Sequence, residues 1–221
     1  MYRFPVITWV GLILIILSSC NPNNKVTTKT IETKRATKPI RRDSEIIDCN
    51  YTFDQAITGT KAPKEIIDNL DLISVKYIST DGKIHKGQIL TNKEISSDIK
   101  AIFDTLLSRK FVVERAVPIV KYDWNDDESM QKNNSYSFCY RNVSFSKHAT
   151  GMAIDINPYF NPVCWKKGYK NRINKPIGAE RDTTVNGTFY SSHPVLKEFR
   201  KFGFFWGHNF ISKFDDHHFE K

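Results

Sequence analysis

From residue 70 onward, apolar residues recur at strand and helix spacings. Residues 73–78 alternate like a half-buried strand, and residues 83–90 supply a returning strand after the turn signal Asp81-Gly82. Thr91 to Glu94 has the spacing of a capping box, and large apolar residues then follow at helical intervals: Ile95, Ile99, Ile102, Phe103 and Leu106. The pattern predicts a hairpin followed by an amphipathic helix.

The rest of the pattern is less regular. In chain order it predicts a weak helix at 63–70, a strand at 111–120, a surface loop at 123–134, a strand at 152–157, a long loop at 161–190, a short helix from 192 that ends at Gly203, and a strand-like end at 204–221. Alternation puts Ala153, Asp155 and Asn157 on one face of their strand. Strands and helices mixed without regular alternation indicate an α+β fold.

The N-terminus predicts export. Arg3 precedes an apolar run, residues 5–17, that is too short to span a membrane, so we expect a signal peptide at 1–19. The run ends in Leu-Ser-Ser-Cys20, which resembles the lipobox of bacterial lipoproteins and implies lipidation of Cys20. The alternative is a plain secretory signal with a chance cysteine. Lipidation would anchor the exported chain to a bacterial envelope membrane, in the periplasm or at the cell surface.

Residues 20–45 are rich in Asn, Thr, Lys and Arg, and we expect a flexible basic tether that leads to a folded domain at 46–221. That domain carries 25 Lys and Arg against 21 Asp and Glu, which is only mildly basic, so we expect no nucleic-acid partner. In an oxidising compartment, Cys49, Cys139 and Cys164 would form one pair and leave one thiol, and the spacing does not choose the pair.

Two histidine groups lie near carboxylates. His148 comes seven residues before Asp155, and His217 and His218 follow two aspartates. Catalytic zinc takes three nitrogen or oxygen ligands and keeps one open position, so His148, Asp155 and one C-terminal histidine would satisfy the count. Neighbours on a strand face opposite sides; with Phe219 buried, His218 is the better ligand and His217 is expected to be packed. His85 and His193, without a carboxylate group beside them, are expected to be structural.

Two motifs then carry a resemblance to a known family. Residues 146–155, SKHATGMAID, fit the SxHxxGxAxD motif of zinc D-Ala-D-Ala carboxypeptidases and L-alanyl-D-glutamate peptidases. Trp206-Gly207 and the hexapeptide DDHHFE at 215–220 resemble the family's WG and DxxHFE ending. Upstream residues are also similar, so the resemblance spans roughly 72–221: Ser129, Met130, Asn133, Asn134, Phe138, Tyr140 and Arg141.

The resemblance implies a hedgehog/D,D-peptidase α+β fold, with a small antiparallel sheet and flanking helices. It also implies zinc bound by His148, Asp155 and His218. Asp215 would then be the general base, positioned to take a proton from water and pass it to the leaving amine. Asp216 is the weaker competitor for that role, because it takes the place of a residue that the family does not use in catalysis.

Arg141 and Ser146 are further candidates. Relatives use an upstream arginine to stabilise the oxyanion, which makes Arg141 a candidate catalytic residue; the alternative is a surface arginine paired with the acidic loop. Ser146 is a candidate substrate-binding residue or a simple turn residue. The chain departs from the family where it has His208, Asn209 and Phe210, which puts substrate preference in doubt but leaves every ligand position intact. We expect His208 to be exposed or to act as an extra donor near the substrate.

Together these features predict a lipid-anchored zinc peptidase that hydrolyses an amide bond in the peptidoglycan stem peptide. The bond is either D-Ala-D-Ala, cut by a carboxypeptidase, or L-Ala-D-Glu, cut by an endopeptidase, and the motifs do not separate them. One alternative is a non-catalytic peptidoglycan-binding lipoprotein that keeps a structural zinc site. Another is an envelope protease that acts on ordinary L-peptides.

Overall fold

The computed structural model describes residues 45–143, 145–169 and 171–221. The strands are β1 (Ile46–Ile47), β2 (Leu70–Ile78), β3 (Ile84–Asn92), β4 (Arg115–Ala116), β5 (Asn134–Ser135), β6 (Ala153–Asp155), β7 (Val163–Trp165), β8 (Phe205–Trp206), β9 (Lys213–Asp215) and β10 (His218–Glu220). The helices are α1 (Phe53–Ile57), α2 (Lys64–Ile67), α3 (Lys93–Ser108), α4 (Asp126–Gln131) and α5 (Leu196–Lys201). The predicted signal peptide, Cys20 and all but the last residue of the predicted tether lie outside the described residues.

The predicted hairpin and helix are confirmed. β2 and β3 pair antiparallel from Leu70 opposite Asn92 to Ile78 opposite Ile84, and Gly82 in the connection has the positive φ that favours glycine. All five periodic apolar residues of α3 are buried. The helix cap differs from the prediction: Asn92, not Thr91, accepts the backbone N–H of Glu94, whereas the Thr91 hydroxyl donates to the carbonyl of Gly151.

The predictions for residues 111–134 are wrong in part. Only Arg115–Ala116 is a strand, because Pro118 cannot donate to a ladder and instead begins a 3₁₀ turn at Ile119–Tyr122. The predicted acidic loop contains α4, whose first turn gathers the acidic residues where the helix dipole favours negative charge. The side chain of Asn125 caps this helix by accepting the N–H of Glu128.

A second sheet has the order β6-β10-β8 and is antiparallel throughout. Its central residue Phe219 is fully buried and stacks on Phe199 of α5 with ring centroids 3.8 Å apart. Gly203, with a φ of 80°, follows α5 as predicted. The strand predicted at 152–157 is confirmed at its centre but ends at Asp155, since Asn157 has a φ of 48°.

The predicted loop at 161–190 also contains a strand, because β7 pairs antiparallel with β9. Two other pairs, β1 with β3 and β4 with β5, are parallel. The described residues therefore form several small sheets with few helices, an α+β arrangement, and the sheet that contains β6 and β10 is the small antiparallel one. Among these residues no helix is long and apolar enough to cross a membrane.

The structure also bears on the expectations for His85 and for the three cysteines. His85 is not free of carboxylates: its Nδ1 lies 2.8 Å from Asp48 and its Nε2 lies 3.2 Å from Asp81, because the hairpin turn and the β1 end both reach it. Cys49, Cys139 and Cys164 are all unpaired within the described part of the chain.

Candidate metal centre

Three predicted ligands converge at one point. His148 Nε2 lies 3.1 Å from Asp155 Oδ1 and 3.0 Å from His218 Nδ1, and His218 Nδ1 lies 3.0 Å from Asp155 Oδ1. All three side chains are buried. Residues that are up to 70 positions apart in the chain thus form a compact triangle of donor atoms.

Local structure explains this convergence. Asp155 ends β6, His218 begins β10, and the two are paired directly across the antiparallel ladder, which puts their side chains on one face. His148 lies in the 3₁₀ turn Lys147–Thr150, which ends at Gly151 with a φ of 72°. A side chain at Gly151 would meet the backbone N of Asn92 at 2.8 Å, so glycine lets the turn lie against the first sheet.

A second layer of contacts orients both histidine rings. His148 Nδ1 lies 2.6 Å from the carbonyl oxygen of Ser137, which leaves Nε2 directed at Asp155. His218 Nε2 lies 3.0 Å from Glu220 Oε2, which leaves Nδ1 directed at the same carboxylate. Ligating histidines usually have such a partner on the other ring nitrogen, and it fixes the orientation of the ring.

The centre favours positive charge. Burial by itself would lower the pKa of His218, but hydrogen bonds to Asp155 and Glu220 outweigh burial and raise that pKa to about 10. Burial would likewise raise the pKa of Asp155, yet the neighbouring charges of His148 and His217 hold it well below its usual range. The carboxylates therefore stabilise a cation here, whether it is a proton on His218 or a metal ion.

The donor set fits zinc. Two imidazole nitrogens and one carboxylate oxygen are ligands of catalytic zinc sites, and donors around a tetrahedral zinc ion lie roughly 3.3 Å apart. The three atoms here lie 3.0–3.1 Å apart, close to that spacing. His148, Asp155 and His218 are the residues that would hold the ion.

Asp215, the predicted general base, lies beside the centre. It ends β9, and its carboxylate lies 2.7 Å from Lys213 Nζ and 3.1 Å from His217 Nε2. His217 Nε2 also lies 3.7 Å from Asp155 Oδ2, so the two aspartates share one neighbour. Burial opposes the charged form, but His217, His218 and Lys213 outweigh it and lower the pKa of Asp215. This carboxylate is ionised at neutral pH and can accept a proton.

His217 is packed, as the strand argument predicts. It is buried, and its Nδ1 lies 2.7 Å from the carbonyl oxygen of Asn161. His217 thereby connects Asp215 to the loop that follows β6, and it lies outside the ligand triangle.

Asp216 is held in a different environment. Its buried carboxylate is paired with Arg181 Nε at 2.7 Å and with the ring of His208. His208 in turn stacks on Trp206 with centroids 4.5 Å apart, so it is neither the exposed residue nor the free donor expected from the sequence. Asp216 makes its contacts with Arg181 and His208, whereas Asp215 shares His217 with the ligand Asp155, and this position beside the ligands favours Asp215 as the base.

Arg141 pairs with the acidic segment. Its Nη2 lies 3.0 Å from Asp126 Oδ2, and the same aspartate accepts a hydrogen bond from the hydroxyl of Tyr136, whose ring stacks on His148 at 5.2 Å. Arg141 also lines a surface cleft of about 560 Å³ together with seven other residues: Gly59, Thr60, Lys61, Asp123, Trp124, Tyr140 and Asn142. Ser146 precedes the turn that carries His148, and its side chain makes no capping hydrogen bond there.

Sequence reasoning missed the roles of three supporting residues. Strand alternation puts Glu220, two positions after His218, on the same face, but no role follows from that placement alone. Lys213 lies two positions before Asp215 on β9, so alternation also puts these two side chains on one face. Ser137 contributes a backbone carbonyl, for which no side-chain pattern gives a signal.

The comparison with protein families agrees with this centre. The family model described as D-alanyl-D-alanine carboxypeptidase matches residues 141–221, the segment that contains Arg141, all three candidate ligands and Asp215. This match supports a peptidase of that class for the C-terminal segment. The upstream part of the resemblance, from residue 72 to 140, lies outside the match. No curated protein and no solved structure matches the chain.

Proposed function

We propose that this protein is a zinc-dependent peptidase that hydrolyses an amide bond in the peptidoglycan stem peptide. The observation that carries the proposal is the meeting of His148, Asp155 and His218 in a segment that matches the carboxypeptidase family. We include in the proposal the hedgehog/D,D-peptidase fold, since the sheet that presents the centre is small and antiparallel.

The chain's own groups would divide the chemistry. A bound zinc ion would supply Lewis-acid chemistry at the scissile carbonyl and lower the pKa of water. Asp215 would take the proton of the attacking water and return it to the leaving amine. Arg141, which holds its charge at any working pH, would stabilise negative charge that develops on the carbonyl oxygen. Ser146, at the start of the His148 turn, would contact the substrate.

The bond that is cut is D-Ala-D-Ala or L-Ala-D-Glu, and we favour the carboxypeptidase reaction, with which the description of the matching family agrees. The cleft beside Arg141 is open to solvent at Lys61 and Asn142, which would leave room for the rest of a stem peptide.

The proposed location follows from the N-terminal sequence. A signal peptide at 1–19, lipidation at Cys20 and a tether at 20–45 would anchor the chain to an envelope membrane. A flexible tether of about 25 residues spans roughly 25 to 30 Å on average, which would let the domain reach peptidoglycan near that membrane.

The test is mass spectrometry of purified peptidoglycan after digestion by the protein, with chelator and with zinc restored. Loss of terminal alanine would establish the carboxypeptidase, and stem peptides that newly begin with D-Glu would establish the endopeptidase. Asp215→Asn is the matched variant: we expect it to retain the fold and the metal and to lose about 100-fold or more in rate. No chelator-sensitive product from a folded, metal-loaded protein would overturn the proposal in favour of a peptidoglycan-binding lipoprotein.

A further inference from the structure

The end of the β7–β9 ladder combines cations with exposed apolar side chains. We call it the β7–β9 tip and define it by eight residues: Trp165, Lys166, Lys167, Tyr169, Arg172, Ile173, Ile211 and Lys213. The backbone joins them, because the Lys166 N–H donates to the carbonyl of Ser212, and the Trp165 indole donates to the carbonyl of Ile173. The tip is therefore one continuous surface that is built from two chain segments.

Its charge is one-sided. Residues 161–178 hold five Lys and Arg and no Asp or Glu, although the whole of 46–221 is nearly balanced. The ion pairs of the described residues do not include Lys166, Lys167 or Arg172. Instead, cations of the tip lie over aromatic rings: Arg172 over Trp165 at 4.7 Å and Lys166 over Phe214 at 4.4 Å. Lys213 is paired with Asp215, and Lys166 Nζ donates to the carbonyl of Phe210, so Lys167 and Arg172 are the cations of the tip that are available to an anionic partner.

The same surface exposes large apolar groups. Ile173 is 70% exposed and Ile211 is 91% exposed, and Tyr169 beside Trp165 is also exposed. Isoleucines in water gain nothing from an anionic sugar or phosphate polymer, which cations alone would bind. Their transfer out of water is favourable in a lipid bilayer, where the adjacent Lys and Arg can remain among the lipid headgroups.

We propose that the β7–β9 tip docks on an anionic phospholipid bilayer, with Ile173 and Ile211 entering the interface and Lys167 and Arg172 contacting lipid phosphates. Tyrosine and tryptophan are suited to this depth, and each basic residue near an anionic surface strengthens binding about fivefold. Such a contact would hold the domain against the membrane. It goes beyond the proposed activity, and it does not require that the centre bind zinc.

The experiment measures the contact at the tip itself, so that the N-terminal segment does not obscure it. The full chain is reconstituted with vesicles of phosphatidylglycerol and phosphatidylcholine whose acyl chains are brominated, and quenching of tryptophan fluorescence is recorded. The signal of Trp165 is the difference between the wild type and Trp165→Phe, in which the signals of the remaining tryptophans cancel.

We expect Trp165 to be quenched on the anionic vesicles, much less on pure phosphatidylcholine, and less in 0.5 M salt. The double variant Lys167→Gln/Arg172→Gln and the double variant Ile173→Ser/Ile211→Ser should each lower the quenched fraction at least about threefold. The matched control is Lys100→Gln/Lys197→Gln, which removes the same charge from exposed positions outside the tip and should keep the wild-type value.

Three results would overturn the proposal. One is an unquenched Trp165 on anionic vesicles. Another is an equal loss in the control variant, which would show a response to net charge alone. The third is that Lys167→Gln/Arg172→Gln abolishes binding to an anionic wall polymer and leaves vesicle quenching unchanged. Peptidase activity on a soluble stem peptide should be unchanged in both tip variants, so failure here is distinguishable from failure of the proposed function.

Discussion

Two regions of the molecule are stabilised in different ways. The first is the β2–β3 hairpin with α3, and the second is the part of the chain that carries the metal centre. The first region has nine-residue strands, a 16-residue helix and an apolar interface at Ile95, Ile99 and Ile102. The second has strands of two or three residues joined by loops. In the second region, buried amide and hydroxyl side chains make many of the hydrogen bonds that ladders make in the first.

Asn161 is the clearest example of a side chain whose hydrogen bonds take the place of a strand ladder. Its Oδ1 accepts the N–H of Phe189 at 2.7 Å, and its Nδ2 donates to the carbonyls of Ile156, Asn157 and Gly187. Its own carbonyl lies 2.7 Å from His217 Nδ1. Asn157 and Asn134 bind other loop backbones similarly. The metal centre is therefore positioned by a network of polar side chains. Substitutions in that network should affect stability and metal binding together.

The largest effect should follow from breaking that network. Asn161→Ala would remove the partner of the Phe189 N–H and of the Ile156 carbonyl, and we expect it to lower the free energy of unfolding by about 2–4 kcal/mol and to weaken zinc binding. In the other region, Ile102→Val should lower the free energy of unfolding by about 0.5–1.5 kcal/mol and leave zinc affinity unchanged. Urea unfolding of the metal-free protein and zinc titration measure the two quantities. Equal zinc affinity in both variants would show that the network does not position the site.

A smaller effect should come from the partner of one ligand. Glu220→Ala removes the carboxylate that orients His218, and we expect zinc affinity to fall about 10- to 100-fold with little change in fold. Competition with a chelator of known affinity measures this change. Glu198→Ala, which removes a carboxylate that pairs with Lys201, is the matched control and should keep wild-type affinity. An equal loss of zinc affinity in Glu198→Ala would show that Glu220 does not act by orienting His218.

The smallest effect lies in the first region and depends on pH. Partial burial disfavours charged His85, but hydrogen bonds to Asp48 and Asp81 outweigh it and raise the pKa of His85. A raised pKa means that the stabilisation is fully present below the ordinary histidine pKa, about 6.5, and is lost as pH rises through the folded-state value. The wild type should therefore exceed His85→Gln by about 1 kcal/mol or less at pH 5.5, and the difference should shrink toward pH 9. A difference that is constant with pH would contradict this account.

The two regions also differ in how well sequence predicts them. The hairpin and α3 follow from period-2 and helical periodicity, because each buries one regular face. The prediction of a strand at 111–120 was wrong because its apolar residues are buried without pairing in a ladder. At Val117, the side chain of Asn134 binds both the backbone N–H and the carbonyl. Hydrogen bonds from distant side chains leave no periodic signal, so this kind of structure is not readable from local pattern.

Within the site, the convergence of His148, Asp155 and His218 and the packing of His217 were predictable from motifs and strand alternation. The pairing of Arg141 with the acidic segment was one of the two alternatives that the sequence left open, whereas the partners of Asp216 were not predictable. Arg181 and His208 reach Asp216 from loops of the chain whose paths the sequence does not define. Asp126 reaches Arg141 from α4, a helix in a segment whose acidic composition suggested a loop.

The central claim is that His148, Asp155 and His218 bind one metal ion. Anomalous diffraction at the zinc edge, from crystals of the purified protein grown with zinc, tests it most directly. We predict one strong peak about 2.0–2.2 Å from His148 Nε2, an Asp155 carboxylate oxygen and His218 Nδ1. A zinc-soaked crystal in which these three side chains pack together without a peak between them, or in which zinc binds elsewhere, would contradict the account.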